Sequence, residues 1–393
     1  MQEHKHDIAV VGAGPGGSAA AYFLARHGFD VALIDKAAFP RDKTCGDGVS
    51  PRALHVLSQM GLLEHLTAAS YRVNFLDFFA PNGVCCPVEV PRMKNLPPFT
   101  LIVPRFKLDD TIRRRAVEAG AAFHQMEVTG PLRDGNRIAG VYGEGRAIAA
   151  KLTLIATGAA TGLLERCDFL PRKPTVMVAA RQYFEDLPRF IDRLEFYFDR
   201  VPLPGYAWVF PTSPTTANIG IGYLGKQRHS PRSLLEEFYK THPRVRDLIR
   251  SATPVGPIKG YPLRIDFPES IPMVEGALAV GEAVGLVNPF TGEGIDYALE
   301  SGQIAAECIA AAPNFSPRGL RDYPRRLNAR FRHLFVVTIR LRNAYYNTFM
   351  LNRLFGSAAR SRYIRDTIIN VCFGDTDPLA AVGPRMLWEM FRP

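Results

Sequence analysis

Three glycines and an acid near the start of the chain have the types and the spacing that dinucleotide binding requires. In DIAVVGAGPGG, Gly12, Gly14 and Gly17 form a GxGxxG pattern between an apolar run and a helical segment, and Asp35 ends the next apolar run. The first glycine permits a tight turn, the second lets a pyrophosphate approach, and the third lets helix and strand pack. The helix N-terminus attracts phosphates, and the acid accepts hydrogen bonds from a ribose hydroxyl. The pattern disfavours NADP, because a 2′-phosphate would meet the Asp35 carboxylate.

A loop rich in glycine and basic residues follows. FPRDKTCGDGVSPRAL, residues 39–54, carries Arg41, Cys45 and Gly46 and leads into a helix with Ser50 as its predicted cap. With the glycine motif, this segment resembles the flavoproteins typified by p-hydroxybenzoate hydroxylase, and more closely the geranylgeranyl reductase family, whose members have a similar FPRxKxCG stretch. The resemblance implies FAD, with Arg41 and the Cys45–Gly46 backbone along it and Cys45 near the flavin ring. Because free cysteines are mostly small buried apolar residues, a purely structural Cys45 stays an alternative.

Further segments match the flavoprotein pattern in order. An RxxLD motif begins at Arg105, which we expect just before a helix and whose counterpart reaches the flavin side of the cofactor. The predicted strand at residues 123–128 would touch the adenine around Val128. The second FAD fingerprint is Gly281–Glu282, where Glu282 stands in place of the usual aspartate. Its contact with the ribityl chain would be direct or through a water.

A second glycine-broken helix start, NPFTGEGI, follows this fingerprint. It places a proline and two glycines before an apolar helix that begins at Ile295. Free amides at such a helix N-terminus stabilise the negative charge of a reduced flavin, so the first glycine turn would hold the phosphates and the second the ring. Binding of NAD alone would not explain why the chain has this second glycine turn. NAD(P)H or another reductant would be the electron donor. The predicted cofactor-binding residues are Gly12, Ala13, Gly14, Gly17, Asp35, Lys36, Arg41, Cys45, Gly46, Arg105, Val128, Glu282, Pro289, Gly292, Gly294 and Ile295.

An aromatic strand provides the candidate substrate wall. In LPGYAWVFP, Tyr206, Trp208 and Phe210 alternate, so they share one face of a strand. Periodicity alone favours an aromatic sheet core. The pattern YxWxFPxxxxxxxxGxG is similar to that of geranylgeranyl reductases, where it lies beside a hydrophobic tunnel, and implies a path to the flavin for a polyisoprene chain. We expect the proline to end the strand and the two glycines to lie on the next one. The predicted substrate-binding residues are Tyr206, Trp208, Phe210, Pro211, Gly220 and Gly222.

Three parts of the chain must position these motifs. The prediction is an α/β fold: a Rossmann-type FAD-binding domain with a ββα nucleotide fold, plus a mixed β-sheet substrate domain and C-terminal helices, in the p-hydroxybenzoate hydroxylase-like arrangement. The predicted FAD-binding domain is discontinuous and comprises residues 1–65, 99–171 and 276–316. The predicted substrate-binding β-sheet domain comprises residues 66–98 and 172–275, and the basic helical C-terminal module comprises residues 317–393.

The positive charge of the chain is concentrated in the C-terminal module. The formal net charge is +10, and residues 317–366 hold twelve arginines, no lysine and two acids, which account for all of it. Apolar residues recur there at three- and four-residue spacing, which predicts one or two amphipathic helices. Such a module could lie on anionic lipid or pack on the core as a helical lid, and the sequence leaves both open. Nucleic-acid binding is disfavoured because no recognition motif accompanies the charge.

Composition narrows the class of protein further. The 393 residues include no uninterrupted apolar run near the roughly 18 residues that a membrane span needs, and the first residues lack an apolar signal segment. Six scattered cysteines without CxxC favour a reduced setting, and no metal-binding histidine pattern occurs. We therefore expect a cytoplasmic protein, either free or peripheral at a membrane surface.

The leading hypothesis is a flavin-dependent reductase of isoprenoid C=C bonds. One alkene carbon would receive a hydride from reduced FAD, and the other a proton from Cys45 or from a water beside it. A neutral thiol is needed for that role, so an apolar pocket that raises its pKa would help. Because fold does not settle function, the alternatives are a flavin monooxygenase that hydroxylates or epoxidises an aromatic or polyketide-like molecule, and a membrane-surface flavoprotein that carries electrons.

Overall fold

A computed structural model of the protein describes residues 2–90, 92, 96–372 and 383–392. The strands, in chain order, are β1 (Gln2–Val11), β2 (Val31–Asp35), β3 (Gly48–Val49), β4 (Tyr71–Val73), β5 (Phe75–Phe79), β6 (Cys85–Glu89), β7 (Thr100–Ile102), β8 (Ala122–Gln125), β9 (Gly130–Asp134), β10 (Arg137–Gly143), β11 (Arg146–Ile155), β12 (Val176–Glu185), β13 (Arg193–Tyr197), β14 (Gly205–Ser213), β15 (Thr216–Leu224), β16 (Thr253–Arg264), β17 (Met273–Val274) and β18 (Ala277–Ala279).

Helices connect and cover these strands. The α-helices are α1 (Pro15–Arg26), α2 (Pro51–Gln59), α3 (Leu63–Ala69), α4 (Arg105–Glu118), α5 (Gly162–Arg166), α6 (Pro231–Thr241), α7 (Pro243–Ile249), α8 (Ile295–Ala311), α9 (Asp322–Tyr345), α10 (Thr348–Arg360), α11 (Arg362–Cys372) and α12 (Pro384–Phe391). Two short 3₁₀ helices span Phe267–Glu269 and Gly281–Val284.

The first sheet is a nucleotide-binding sheet of the predicted kind. Its strand order is β17-β18-β11-β1-β2-β8, and β9 and β10 extend it beside β11. Strands β18, β11, β1, β2 and β8 run parallel. The apolar run at residues 8–11 is buried, as expected for a parallel strand with both faces covered. Helices α1, α4 and α8 belong to this core, in which α1 packs against both of the others.

The second sheet is mixed, as predicted for the substrate half. Its order is β16-β12-β15-β14-β13-β5-β6, in which only the β13–β5 pair is parallel among the described strands. One face packs against α6 and α7, and the other carries aromatic side chains toward the C-terminal helices. A small third sheet, β3-β7-β4, completes the described strands.

The described C-terminal helices pack on the body of the protein. In α9, Phe331 and Phe335 contact the ring of Tyr297 in α8 at centroid distances of 5.6 and 5.2 Å. In α10, Phe355 stacks on Phe78 of the second sheet at 5.4 Å. The three- to four-residue spacing of apolar side chains therefore turns one face of two successive helices inward, which supports the helical-lid alternative.

Three predicted element boundaries are wrong. Arg105 is the first residue of α4 and does not precede it, because Pro104 takes the N-cap position. The strand expected over residues 123–128 ends at Gln125, so Val128 lies in the connection to β9. Pro211 does not end its strand: β14 continues to Ser213 through an irregularity in its pairing with β15 after the proline.

Candidate active site

A cavity of about 950 Å³ begins at the glycine turn after β1 and extends between the two sheets to the C-terminal helices. Most of the predicted site residues line it. These are Gly12, Gly14, Asp35, Lys36, Arg41, Cys45, Gly46, Arg105, Val128, Tyr206, Trp208, Phe210, Gly222, Glu282, Gly292, Gly294 and Ile295. The structure therefore brings the predicted cofactor residues and the aromatic strand to one continuous space.

The other five predicted site residues do not line the cavity. A Cβ on Gly17 would come within 1.8 Å of the Gly12 carbonyl oxygen, so Gly17 serves the close packing of α1. A Cβ on Gly220 would come within 2.2 Å of the Trp208 ring, so Gly220 makes room for that ring. Three further residues lie outside the cavity wall, namely Ala13, Pro211 and Pro289, the last of which lines a small adjoining recess.

The glycine turn has the shape that a pyrophosphate requires. Gly12 has φ +106, and a Cβ there would lie 2.3 Å from the Ala156 carbonyl oxygen, so only glycine fits. Gly14 is the N-cap of α1, and Gly14, Pro15 and Gly16 line the cavity, so the N-terminus of the helix borders it. The Asp35 carboxylate accepts hydrogen bonds from the backbone N–H of Ala13 at 2.8 Å and of Ala37 at 2.9 Å. The residues present therefore fit the pyrophosphate and ribose of FAD.

Two arginines reach the same end of the cavity and share one carboxylate. Arg105 donates to both oxygens of Asp109, from Nε at 2.6 Å and from Nη2 at 2.7 Å. Arg41 approaches the same Asp109 at 2.9 Å. Asp109 is fully buried, so it fixes both guanidinium groups beside the glycine turn, where a Cβ on Gly14 would stand 3.7 Å from Arg41 Nη2 and 4.0 Å from Arg105 Nη2.

The second glycine turn lies at the same cavity. Gly294 is the N-cap of α8, and Gly292 has φ +76 with the Tyr206 hydroxyl 3.2 Å from where its Cβ would be. That hydroxyl donates to the Thr291 carbonyl oxygen at 2.5 Å, which ties the turn to β14. Nearby, the Glu282 carboxylate contacts Lys43 Nζ at 3.0 Å and accepts from a backbone N–H of β16 at 3.2 Å. Helix amides, small residues and an anchored acid together suit a flavin ring and its ribityl chain.

Cys45 lies between the cofactor end and the aromatic wall. It lines the cavity, and a Cβ on the following Gly46 would stand 3.0 Å from the Phe210 ring. Burial raises the pKa of the Cys45 thiol above its ordinary value, although the positive charge of Arg105 acts in the opposite direction. The thiol is therefore neutral at neutral pH, as a proton donor must be.

Sequence reasoning missed a buried polar cluster behind Cys45. The Asp47 carboxylate accepts hydrogen bonds from the Tyr183 hydroxyl at 2.6 Å and from Asn218 Nδ2 at 2.7 Å. Asn218 also donates to the Cys45 carbonyl oxygen at 2.7 Å and accepts from Trp208 Nε1 at 3.0 Å. Burial raises the pKa of Asp47 to about 6. The sequence signal for this cluster was the acid between two glycines in CGDG. The residues that contact this acid lie on strands that are distant in the sequence.

A second missed cluster stands at the start of α8. Glu293 and Asp296 line the cavity, and Arg52 of α2 lies 3.6 Å from Asp296 and 2.7 Å from Glu300. Burial, and after it the negative charge of Asp296, raises the pKa of Glu293 well above its ordinary value. Among the described residues, no group of three or more acids, histidines or cysteines could hold a metal ion.

The fold and the site define a flavoprotein with an FAD-binding domain. Residues 5–160 match the family model for an FAD binding domain, and residues 177–254 match the geranylgeranyl reductase catalytic domain. A geranylgeranyl bacteriochlorophyll reductase-like protein from Thermoplasma acidophilum has the same fold, with a TM-score of 0.82 and 21% identity over 99% of this chain and 100% of that one. The predicted fold class is confirmed.

Two relatives indicate the family of flavoproteins to which the chain belongs. The chain is 34% identical over 325 residues to the menaquinone reductase of Mycobacterium tuberculosis, covering 77% of this chain and 76% of the relative. It is 30% identical over 334 residues to the digeranylgeranylglycerophospholipid reductase of Methanocaldococcus jannaschii, covering 82% of each. The chain therefore belongs to the geranylgeranyl reductase family. It is an FAD-dependent oxidoreductase that reduces C=C bonds of isoprenoid chains, so the predicted family, cofactor and reaction are confirmed.

Proposed function

We propose that the substrate is a lipid whose polyprenyl tail enters the cavity from the side of the C-terminal helices. The observation that carries this proposal is the continuity of the cavity from the two glycine turns, past Trp208 and Phe210, to apolar side chains of the C-terminal helices. These include Leu354, Phe355, Ile368 and Met386. An aromatic and aliphatic wall suits a hydrocarbon chain, because each buried CH₂ contributes about 0.8 kcal/mol. The names of the menaquinone and archaeal-lipid relatives point to the same class of substrate.

The predicted cofactor residues would hold FAD along this cavity. Gly12, Gly14 and the start of α1 would bind the pyrophosphate, Asp35 a ribose, and the amides from Gly292 to Ile295 the flavin ring. Reduced flavin supplies the hydride for the alkene, and an external reductant, NAD(P)H or another donor, renews it. The remaining residues orient the alkene and exclude water from it.

Cys45 would hold the proton that the second alkene carbon receives. Its thiol lines the cavity beside the aromatic wall, and burial raises its pKa, so it stays neutral. Trp208 and Phe210 would hold the tail beside the Cys45–Gly46 segment, since a Cβ on Gly46 would stand 3.0 Å from the Phe210 ring and 3.5 Å from Trp208 Nε1. The cofactor residues, the Cys45 thiol and the apolar wall would thus each have a separate role in the reaction.

The direct test is anaerobic reduction of defined lipids. Purified protein reduced with dithionite is mixed with menaquinone or with a digeranylgeranyl glycerophospholipid, and the products are measured by mass spectrometry. We expect the tails, measured apart from the quinone ring that dithionite itself reduces, to gain two hydrogens for each double bond reduced, and no change in the tail of a matched lipid whose tail is saturated. A hydroxylated or epoxidised product that forms only with oxygen would contradict the proposal and favour a monooxygenase, whereas lipid binding without turnover would favour an electron carrier.

We further propose that the C-terminal module contacts a membrane surface. Phe349 of α10 and Trp388 of α12 are each 62% exposed, and Leu387 and Phe391 are also exposed. We call these four residues the C-terminal apolar surface. Arg392 lies over the Trp388 ring at 5.4 Å, so positive charge accompanies the aromatic side chains. Aromatic residues with adjacent cations favour the interface of an anionic bilayer, and the described helices include none long and apolar enough to cross one.

Liposome sedimentation tests this contact. The double substitution Phe349→Ala with Trp388→Ala should weaken binding to phosphatidylglycerol vesicles at least tenfold, and high salt should weaken binding of the unmodified protein. Phe190→Ala is the matched control, because Phe190 is 61% exposed and lies outside the C-terminal module. Equal binding by the double variant and the control would contradict a role for the C-terminal apolar surface.

A further inference from the structure

Asn288 is a fully buried residue at the start of the second glycine turn. Its side chain is withdrawn from solvent and does not line the cavity, so it lies outside the space for cofactor and substrate. An asparagine amide carries an oxygen that accepts hydrogen bonds and an NH₂ group that donates them. Because a buried amide without partners is unfavourable, the partners of Asn288 show which parts of the site it holds together.

The side-chain oxygen of Asn288 fixes the first half of the turn. Oδ1 accepts from the backbone N–H of Phe290 at 2.9 Å and from that of Thr291 at 3.3 Å. Two N–H groups on one side of an amide must face its oxygen, and this defines the orientation of the side chain. An asparagine that accepts from the N–H two residues further on forms an Asx turn, so the first half of the turn follows from this one side chain.

The backbone of Asn288 closes the second half of the turn. Its N–H donates to the Glu293 carbonyl oxygen at 2.7 Å, and its carbonyl oxygen accepts from the Gly292 N–H at 2.9 Å. Among the amides expected at the flavin ring, that of Gly292 therefore closes the turn. Those of Gly294 and Ile295 lie at the start of α8, where the first N–H groups of a helix have no acceptor within the helix. Both of these residues line the cavity.

The side-chain NH₂ group of Asn288 ties the turn to the helix that follows it. Nδ2 donates to the hydroxyl of Tyr297, in the first turn of α8, at 3.0 Å. The Arg52 guanidinium of α2 lies over the Tyr297 ring at 4.6 Å, and Phe331 and Phe335 of α9 pack against the same ring. Asn288 is therefore bonded to a side chain that two other helices hold in place.

We propose that Asn288 is a positioning residue that sets the reduction potential of the flavin, an inference that rests on the proposed placement of the flavin ring at this turn. A helix N-terminus stabilises the negative charge of reduced flavin only where its free N–H groups are held in the right direction. Asn288 fixes the turn from within and joins it to α8, so it holds the N–H groups of Gly294 and Ile295 at the cavity. Its loss weakens the binding of reduced FAD more than that of oxidised FAD, because only the reduced form carries the charge.

The reduction potential of the bound flavin tests the proposal. It is measured by anaerobic reductive titration against a reference dye, together with the FAD affinity and the unfolding temperature of each variant. In Asn288→Ala, binding of reduced FAD should weaken about tenfold or more relative to oxidised FAD, which lowers the potential of a two-electron couple by about 30 mV or more. Asn288→Ser keeps a hydroxyl that accepts from a nearby backbone N–H. It should show a smaller shift, and it keeps the test decisive if Asn288→Ala does not fold.

Asn347→Ala is the matched control for a loss of stability alone. Asn347 is the exposed N-cap of α10, outside the cavity wall. Its Oδ1 accepts from the Met350 N–H at 3.0 Å, and its Nδ2 donates to the Ala344 carbonyl oxygen at 2.9 Å. Its substitution should lower the unfolding temperature and leave the potential unchanged. If the Asn288 variants behave in the same way, Asn288 serves the stability of the fold only and the proposal is wrong.

Gly292→Ala separates this failure from a failure of the proposed function. Gly292 has φ +76 and lines the cavity, so an alanine there strains the turn itself. If the flavin ring lies at this turn, Gly292→Ala changes the potential whatever Asn288 contributes. A change in Gly292→Ala with none in the Asn288 variants would overturn the role of Asn288 alone. An unchanged potential in all three variants would overturn the placement of the flavin ring at this turn.

Discussion

Gly302 of α8 lies directly against Gly16 of α1, and a Cβ on Gly302 would stand 2.4 Å from the Gly16 carbonyl oxygen. In return, a Cβ on Gly16 would stand 3.2 Å from the carbonyl oxygen of Ala298. Because no side chain separates the two helices here, both helix N-termini open onto the same cavity. The two glycine turns are far apart in the chain but adjacent in the fold, which is the arrangement that one long dinucleotide needs.

Gly302→Ala should therefore damage the cofactor site as well as stability. The added methyl group must push α8 away from α1, and such overpacking typically costs about 1–3 kcal/mol. We expect a lower unfolding temperature and at least tenfold weaker FAD binding, measured by calorimetry and by titration of flavin fluorescence.

Gly356→Ala is the matched control for this substitution. Gly356 lies within α10, and a Cβ there would meet no atom within 4 Å. Because alanine favours a helix over glycine by up to about 1 kcal/mol, this variant should be as stable as the unmodified protein or more stable. Equal losses of FAD affinity in both variants would show that the α1–α8 contact does not determine the site.

The two glycines of β15 make a second matched pair. A Cβ on Gly220 would collide with the Trp208 ring at 2.2 Å, whereas the nearest atoms to a Cβ on Gly222 are 3.7 Å away. Gly220→Ala should displace the Trp208 ring and break its 3.0 Å hydrogen bond to Asn218, which lowers kcat/KM for a polyprenyl lipid by about 10- to 100-fold. Gly222→Ala should change it less than about threefold.

Tryptophan fluorescence checks the cause of that difference. The chain has two tryptophans, and in a Trp388→Phe background the emission reports Trp208 alone. The Gly220→Ala emission should shift, and the Gly222→Ala emission should not. If kcat/KM falls to a similar extent in both variants and the emission shifts in neither, the position of the Trp208 ring does not determine the substrate wall.

Local patterns predicted the parts of the site that depend on backbone shape. The GxGxxG turn, the acid at Asp35 and the aromatic alternation from Tyr206 to Phe210 each arise from residues close in sequence, so spacing alone places them on a turn or on one strand face. The mixed sheet and the second helix start at Ile295 follow from similar local signals.

Contacts between distant segments were not predictable in this way. Asp47 is partnered by Tyr183 and Asn218, which lie 136 and 171 positions away along the chain, and no local pattern encodes that meeting. The same holds for Arg52, which reaches Glu300 across 248 positions. The predicted start of α4 was wrong at Arg105, because Pro104 takes the N-cap position and makes Arg105 the first residue of the helix.

Asp47 should also make stability depend on pH in a defined direction. Burial raises its pKa from 3.8 to about 6, so between these values the folded protein keeps a proton that the unfolded chain has released. The unfolding free energy should therefore fall as pH rises from about 4 to about 6, by up to about 3 kcal/mol. Asp47→Asn should lose this component, as measured by urea unfolding with saturating FAD at pH 4.5 and 7.

Asp168→Asn is the control for this measurement. Asp168 also has a positive φ, +61, but its side chain is 75% exposed and pairs with Arg133 at the surface. Its substitution should leave the pH dependence of stability unchanged within about 0.5 kcal/mol. If Asp47→Asn keeps the full pH dependence, another group holds the proton.

Cys45 is the candidate proton donor of the reaction. Cys45→Ala should lower the single-turnover rate of alkene reduction by about 10²- to 10⁴-fold, because a positioned acid contributes about that much. FAD should stay bound, since the expected cofactor contacts there come from the backbone of Cys45 and Gly46.

Burial raises the pKa of the Cys45 thiol. The activity of the unmodified enzyme should therefore fall only when the pH rises above the ordinary pKa of a cysteine thiol. Cys85→Ala, on β6 and away from the cavity wall, should leave both the rate and its pH dependence unchanged. A Cys45→Ala enzyme with full activity would assign the proton to a water or to Glu293, whose carboxyl lines the same cavity and whose pKa burial also raises.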